Sequence, residues 1–527
     1  MVNVMATSAI KVRSKPLVRK NSRRILGPWT LLIAAFVLVA AFVVGYETYS
    51  GRLGIIGPQP LIVDNGPARI IKVPPGGNVQ AAIERAKGGD IVELQAGARY
   101  SGTINLPNKP LTDFVTIQTS AVAALPADKR VSPSQRSSMA TINPGILTRP
   151  AILAENGAHH YRFVGIEFGP TTKGYFNIIQ IGTGDENSVS DLPHHIEFDR
   201  VYLHGDSKFG QRRGIAANGR NIKIANSYFS DFKREGEESQ AIAMWASDGP
   251  VEIVNNYLEA ASQSILFGGA ESKLGLIPSN SIVRDNWLNK PVEWREKKWL
   301  VKNMFEIKSG RHIKVENNLM TNNWLMGQDG SGVLFTTRED SGKNAVIEDI
   351  DFVGNIVRGT ASAVNVYGAE VGGGRRLNIR NNVFEDISSK NWGGDGFFLK
   401  LTAWQDLVIE NNTIIQDGNI TTAYGKPISG FVFRNNIVFN NSYGFFGDDA
   451  GSGRGAIARY FPQSVITNNV IVGADSREYG DSNFYPVSAE RIGFSNSLGG
   501  DYRLSGSSPY LKKNIGADLD PKTVGGK

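Results

Sequence analysis

The sequence predicts an all-β protein: a right-handed parallel β-helix opened by a short capping helix and preceded by one transmembrane helix. Three observations carry this. A strand-like run ending in one or two asparagines recurs between residues 222 and 471. Glycine is abundant, at 59 of 527 residues, among many brief apolar runs, which marks many turns and short strands. An uncharged apolar stretch, residues 25–46, follows a basic tail.

The repeat comes first, because a fixed internal period decides the architecture. Its copies are IKIANSYF, VEIVNNYL, SIVRDNWL, IKVENNLM, IDFVGNIV, LNIRNNVF, LVIENNTI, FVFRNNIV and SVITNNVI. The asparagines align as Asn226, Asn256, Asn286, Asn318, Asn355, Asn382, Asn412, Asn436 and Asn469, spaced by 24 to 37 residues. Asparagine tolerates the left-handed conformation of a tight turn, and stacked asparagines hydrogen-bond as a ladder. Further apolar runs, such as QAIAMWAS and NMFEIKSG, make about three strands per repeat. Variable spacing then means loops of unequal length on a constant coil.

At the start of the stack, Val79 to Ala86 follows Gly-Gly as a short amphipathic helix, and DIVEL reads as the first strand. A capping helix covers the apolar end that an open stack exposes. The domains expected are a basic cytoplasmic tail at 1–24, a transmembrane helix at 25–46 and a linker at 47–68. The β-helix follows at 69–515, with a C-terminal tail at 516–527.

Seven basic residues and no acid occupy the first 27 positions. They account for the whole net charge of +7, since the remaining 50 basic residues equal the 50 acidic ones. The charge is therefore a topology signal and excludes a nucleic-acid partner. Residues 25–46 are long enough to cross a bilayer. The positive-inside rule puts the N-terminus in the cytoplasm and the β-helix outside, periplasmic or extracellular. A cleaved signal peptide is the competing reading; the run is long for one, and no small-x-small site follows it. With no cysteine, disulfides, thiolate metal sites and cysteine nucleophiles are excluded.

The repeat, the capping helix and the asparagine column together resemble the pectate-lyase-like superfamily of parallel β-helices, over about residues 69–515. The resemblance implies a carbohydrate-active protein with a groove along one sheet. Many such folds act on acidic polysaccharides by lyase or hydrolase chemistry.

Alternation in NMFEIKSG puts Phe305 and Ile307 inside and Glu306 and Lys308 outside. This pair resembles the acidic and basic residues of uronan lyases, where calcium or cationic side chains neutralise the uronate carboxylate and a Lys or Arg takes the C5 proton. Glu306 would then be a calcium ligand or would orient Lys308. The simpler reading is a surface ion pair, worth little. Arg338, in GVLFTTRED, joins them if Val333 and Phe335 face inward and is a turn residue otherwise. His204, Arg212, Arg213, Gln240 and Trp245 are candidate substrate contacts, with Trp245 either stacked on a sugar or packed under a loop. The His204-Gly205-Asp206 triplet resembles the His-Gly of polygalacturonases, but their Asn-Thr-Asp and Arg-Ile-Lys signatures do not occur here. Glu235, Glu237 and Glu238 offer a further calcium contact or a solvated loop. His159-His160 and His194-His195 are not at a recognised metal spacing, which argues against zinc. The readings left open are a membrane-anchored polysaccharide lyase cleaving uronate glycan by β-elimination and a non-catalytic protein that binds glycan or organises the envelope. A glycoside hydrolase would need paired carboxylates.

Overall fold

A computed structural model describes residues 61–64, 69–144, 149–172 and 176–526. The expected tail and membrane span lie outside them. Among the described residues no helix is long and apolar enough to cross a membrane.

The chain coils through three long sheets. Sheet A has 15 strands and sheets B and C have 13 each, and neighbours are parallel except at the ends. One coil shows the order: His194–Asp199 lies in sheet A, Tyr202–His204 in B and Arg213–Ala217 in C, before Arg220–Ala225 returns to A. The protein is thus a parallel β-helix.

Alternation builds the core. In sheet A one inward column runs Phe163, Phe198, Ile224, Ile253, Val283, Val315, Phe352, Ile379, Ile409 and Phe433, all fully buried. Each such side chain stabilises the fold by roughly 1.5–3 kcal/mol relative to exposure.

The capping helix spans Val79–Arg85; Asn78 caps it by accepting from the Ala81 N–H, and Val79, Ala82 and Ile83 are buried. The first parallel strand is Arg69–Val73, ahead of this helix, and DIVEL (Ile91–Leu94) is the second. Leu61–Asp64 pairs antiparallel with Arg69–Val73 and ends the sheet.

The turn from sheet A to B divides between two positions the work expected of one asparagine. The first adopts positive φ: Asn226, Asn255, Asp285, Asn317, Gly354, Asn381, Asn411, Asn435 and Asn468. The second forms a buried ladder: Asn256, Asn286, Asn318, Asn355, Asn382, Asn412, Asn436 and Asn469. Each ladder residue donates its backbone N–H (2.8–3.0 Å) and its Nδ2 (2.9–3.1 Å) to the Oδ1 of the next. Asn483 closes the column. Asn226 therefore aligns with Asn255, not Asn256; Ser227 holds the ladder position, donating its N–H to Asn256 at 3.0 Å.

One of the three outer faces is covered and a second carries rows of ion pairs. Over sheet B, Leu125, Val131 and Met139 pack on Tyr202 and Tyr228. Further along, Ala517, Leu519 and Val524 pack on Leu319, Ile356 and Val383. Residues 513–526 run back along the asparagine turns toward the start of the stack. Lys513 O accepts from Asn468 (3.1 Å) and Asn514 O from Asn411 (2.7 Å). Gly516 N–H donates to Asn435 O (2.8 Å), Asp518 N–H to Asn381 Oδ1 (2.9 Å) and Gly525 N–H to Asn317 O (2.9 Å). There Arg130 donates to the carbonyls of Gly525 (2.7 Å) and Asp285 (3.1 Å), joining the two covering segments. Sheet A carries rows of cross-strand ion pairs, such as Arg162–Glu197 and Arg434–Glu410; exposed pairs of this kind contribute about 0–1 kcal/mol each. Sheet C remains.

Candidate functional site

Sheet C presents a polar strip between two walls of loops. In strand Phe305–Ile307, Phe305 and Ile307 enter the core and Glu306 points out. In Ser331–Thr336, Val333 and Phe335 enter the core, which settles the register left open by the sequence. Asn177, Arg213, Gln240 and Gln263 form one register column on adjacent strands.

Their side chains make a directed chain of hydrogen bonds. Arg213 donates Nη1 to Asn177 Oδ1 (3.2 Å) and Nε to Gln240 Oε1 (3.0 Å). Gln240 Nε2 donates to Gln263 Oε1 (3.0 Å), and Gln263 Nε2 to Glu306 Oε2 (2.9 Å). Two neutral amides thus link a guanidinium to a carboxylate, each donor aimed toward the anion. Asn303 Nδ2 (3.2 Å) and Thr336 Oγ1 (3.4 Å) also donate to Glu306. Glu306 is consequently 1% exposed although it faces outward.

Arg213 has no carboxylate at ion-pair distance among the described residues. Its direct partners are the two amides and the Trp245 ring, 5.1 Å from the guanidinium carbon. Burial pushes its pKa down to about 10, with the adjacent Arg212 adding to the effect and the charge of Glu238 opposing it. It remains a cation at neutral pH, available to an anion from outside. Trp245 is half-buried, one face against Arg213 and its indole nitrogen beside Gly184.

Lys308 differs. Burial pushes its ammonium down, but the charge of Glu306 and the hydrogen bond to Asp340 (2.7 Å) outweigh this and raise its pKa. It rests as an ammonium. Arg338, in the loop that supplies Asp340, pairs with Glu370 (2.8 Å) and lies over the Tyr367 ring at 4.7 Å. The opposite wall carries Glu238, paired with Lys302, and Asp329, paired with Lys400 at 3.3 Å. Burial raises the Glu238 carboxyl, but Lys302 outweighs it and the net shift is downward.

The donor set at Glu306 does not fit a calcium ion. Its oxygens accept from two amides and a hydroxyl, and a lysine ammonium adjoins it. Glu235, Glu237 and Glu238 each pair with a base, Lys298, Arg234 and Lys302.

One corner of this wall is held by a buried lysine. Lys290, fully buried, sets its Nζ within hydrogen-bond distance of four carbonyls, those of Ala260 (2.8 Å), Ala261 (2.9 Å), Ser262 (3.2 Å) and Asn303 (2.9 Å), and its three hydrogens are shared among them. It thereby fixes the backbone leading into Gln263 and beside Glu306. Burial pushes its pKa well down.

Of the residues expected from sequence, Glu306, Lys308, Arg338, Arg213, Gln240 and Trp245 share this side of the molecule. Arg212 precedes it at the corner, half-buried, its Nε without a partner. His204 does not join them. It lies on sheet B, its Nε2 2.9 Å from Glu167 and its ring stacked on Tyr202 at 4.7 Å. Burial raises the Glu167 carboxyl, but hydrogen bonds from His204, Arg136 and Thr141 outweigh it and bring it down to about 2. Gln263, Asn303, Lys302 and Lys290 were not singled out in the sequence; they become neighbours only through the pairing of coils. A hollow of about 540 Å³ beside Arg162, Glu197 and Lys223 lies on sheet A instead, where these charges pair along the strand rows.

No protein-family model matches the chain, and no curated protein matches it. Among solved structures, an alginate lyase from Paenibacillus sp. FPU-7 is 12% identical, with a TM-score of 0.35 over 69% of this chain and 96% of that one. The catalytic unit of a GH87 alpha-1,3-glucanase from Streptomyces thermodiastaticus HF3-3 is 13% identical, with a TM-score of 0.46 over 81% of this chain and 71% of that one. Pectate lyase Pel9A is 13% identical, with a TM-score of 0.38 over 84% of this chain and 90% of that one.

Proposed function

We propose that the protein binds an acidic polysaccharide along the outer face of sheet C and cleaves it by β-elimination. The observation that carries this reading is Arg213, a half-buried guanidinium whose direct hydrogen-bond partners are neutral amides, set against Trp245. A uronate carboxylate supplies the missing charge through a bidentate pair, and the indole packs on the sugar ring.

Elimination is assigned to the Lys308 end. The C5 proton becomes acidic when charge on the adjacent carboxylate is stabilised, and Arg338 lies one coil on to do this. Lys308 takes the proton as the C5–H bond breaks. Its electrons form the C4–C5 double bond, the C4–O bond breaks, and the departing sugar oxygen takes a proton from water. Only neutral Lys308 can act, and its pKa is raised, so the rate climbs with pH through the alkaline range. The basic tail and residues 25–46 support a cytoplasmic N-terminus and a β-helix tethered outside the membrane.

The resting ion pair of Lys308 with Asp340 supports a second reading, binding without cleavage. Full-length protein in detergent, incubated with a panel of acidic polysaccharides, separates the two. Ultraviolet absorbance from unsaturated uronate that is lost in Lys308→Ala supports the lyase. Reducing ends without absorbance mean hydrolysis and refute elimination. Binding that depends on Arg213, with neither product, leaves the non-catalytic reading. No binding to any member of the panel refutes both.

A further inference from the structure

Two His-His dipeptides, 35 residues apart in sequence, stack on each other where sheet C turns into sheet A. His194 pairs in register with His159. The rings of His159 and His194 are parallel at 4.6 Å, and so are those of His160 and His195. Within each dipeptide the two Nδ1 atoms are 2.7 Å apart. Ligand atoms of His159, His160 and His194 all lie within 4.8 Å of one another. The separation in sequence hides this; coiling at the strand spacing of about 4.8 Å creates it.

All four rings are half-buried. Burial and the neighbouring imidazoles lower His159 and His160 and bring His194 down to about 4. Asp113 opposes this weakly at His160, and Arg220, itself paired to Asp248, adds to it at His194. Two ring nitrogens 2.7 Å apart are joined by one hydrogen between the Nδ1 atoms.

We propose that His159, His160, His194 and His195 form a site for a divalent transition metal of the zinc class, which cross-links two adjacent coils. The ion replaces the shared proton in each dipeptide. The donor ring carries its hydrogen on Nε2 instead, the stacked rings tilt toward each other so that the Nδ1 lone pairs face the metal, and no net proton is released. Zinc–nitrogen bonds of about 2.0–2.1 Å need nitrogens about 3.3 Å apart, between the short and long separations already present. Imidazole donors suit zinc, copper or nickel and not calcium.

The test uses full-length protein in detergent, without a polyhistidine tag, stripped with chelator and titrated with zinc chloride or cobalt(II). One equivalent should bind at micromolar affinity or tighter, with a visible cobalt d–d band and a raised thermal midpoint. The variant His160→Asn/His195→Asn keeps the left-handed backbone of both positions (φ 61° and 52°), because Asn221 holds the next position of the column at φ 50°. It should fold as the wild type does and bind at least about 100-fold more weakly. Should it fail to fold, His159→Gln/His194→Gln serves as the second variant. No binding by the wild type, or binding unchanged in a folded variant, overturns the proposal.

Discussion

Replacing Asn318 with alanine tests whether the ladder stabilises the stack. Asn318 Oδ1 accepts both the backbone N–H and an Nδ2 hydrogen of Asn286, each at 3.0 Å. Its own Nδ2 donates to Val283 O and Asn355 Oδ1, each at 2.9 Å. Truncation strands two N–H groups of Asn286 where neither residue is exposed to solvent. A buried unsatisfied group costs roughly 1–3 kcal/mol, so the loss is roughly 2–6 kcal/mol. Asn355 is affected less, since Asn318 still donates its backbone N–H to it. The internal control is Asn317→Ala. Asn317 sits at φ 57°, and an alanine there costs roughly 1–2 kcal/mol. Because a solenoid couples nearest neighbours, the measurement is local: hydrogen exchange of peptides spanning 281–288 and 313–320, supported by urea unfolding. Asn318→Ala should lose more protection than Asn317→Ala on both coils. If it loses the same or less, the ladder is not what holds adjacent turns together.

Lys290→Met should lower the thermal midpoint and weaken glycan binding together: bare carbonyls at Ala260 and Asn303 cost roughly 1–3 kcal/mol each, offset in part by removing a buried charge. Arg213→Lys should weaken acidic-glycan binding roughly 10–100-fold, because one ammonium cannot reproduce the planar fork; equilibrium binding at fixed salt checks this. Glu259 is raised by burial to about 7. A carboxyl whose folded pKa is raised adds stability below its unfolded pKa and loses it as pH rises through about 7. The thermal midpoint should therefore fall between pH 5 and 8, and Glu259→Gln should flatten that fall.

The fold was legible because its rule is local. A period-2 pattern places Phe305 and Ile307 inside, and a tight turn selects asparagine wherever it recurs. The slip of Asn226 by one place shows the limit: Asn-Ser and Asn-Asn look alike, and only the hydrogen-bonding partner tells which residue bends and which bonds. Glu306, Lys308 and Arg338 could be found on one side by alternation. The amide chain from Arg213 could not, since loops of unequal length separate Arg213, Gln240, Gln263 and Glu306. His204 was misplaced for a related reason: neighbouring positions in sequence cross a corner and face different sheets.

The C-terminal segment carries a consequence for how such a molecule can change. Residues 513–526 meet successive turns at Asn468, Asn435, Asn411, Asn381 and Asn317 and finish against Arg130. It therefore works as a measuring tape laid along the stack. A solenoid without it gains or drops a coil freely, but here a coil added between Asn317 and Asn468 moves the far attachments one strand spacing further from Arg130. Growth by whole repeats is barred unless this strip lengthens with it, and variation is directed into the loops beside sheet C.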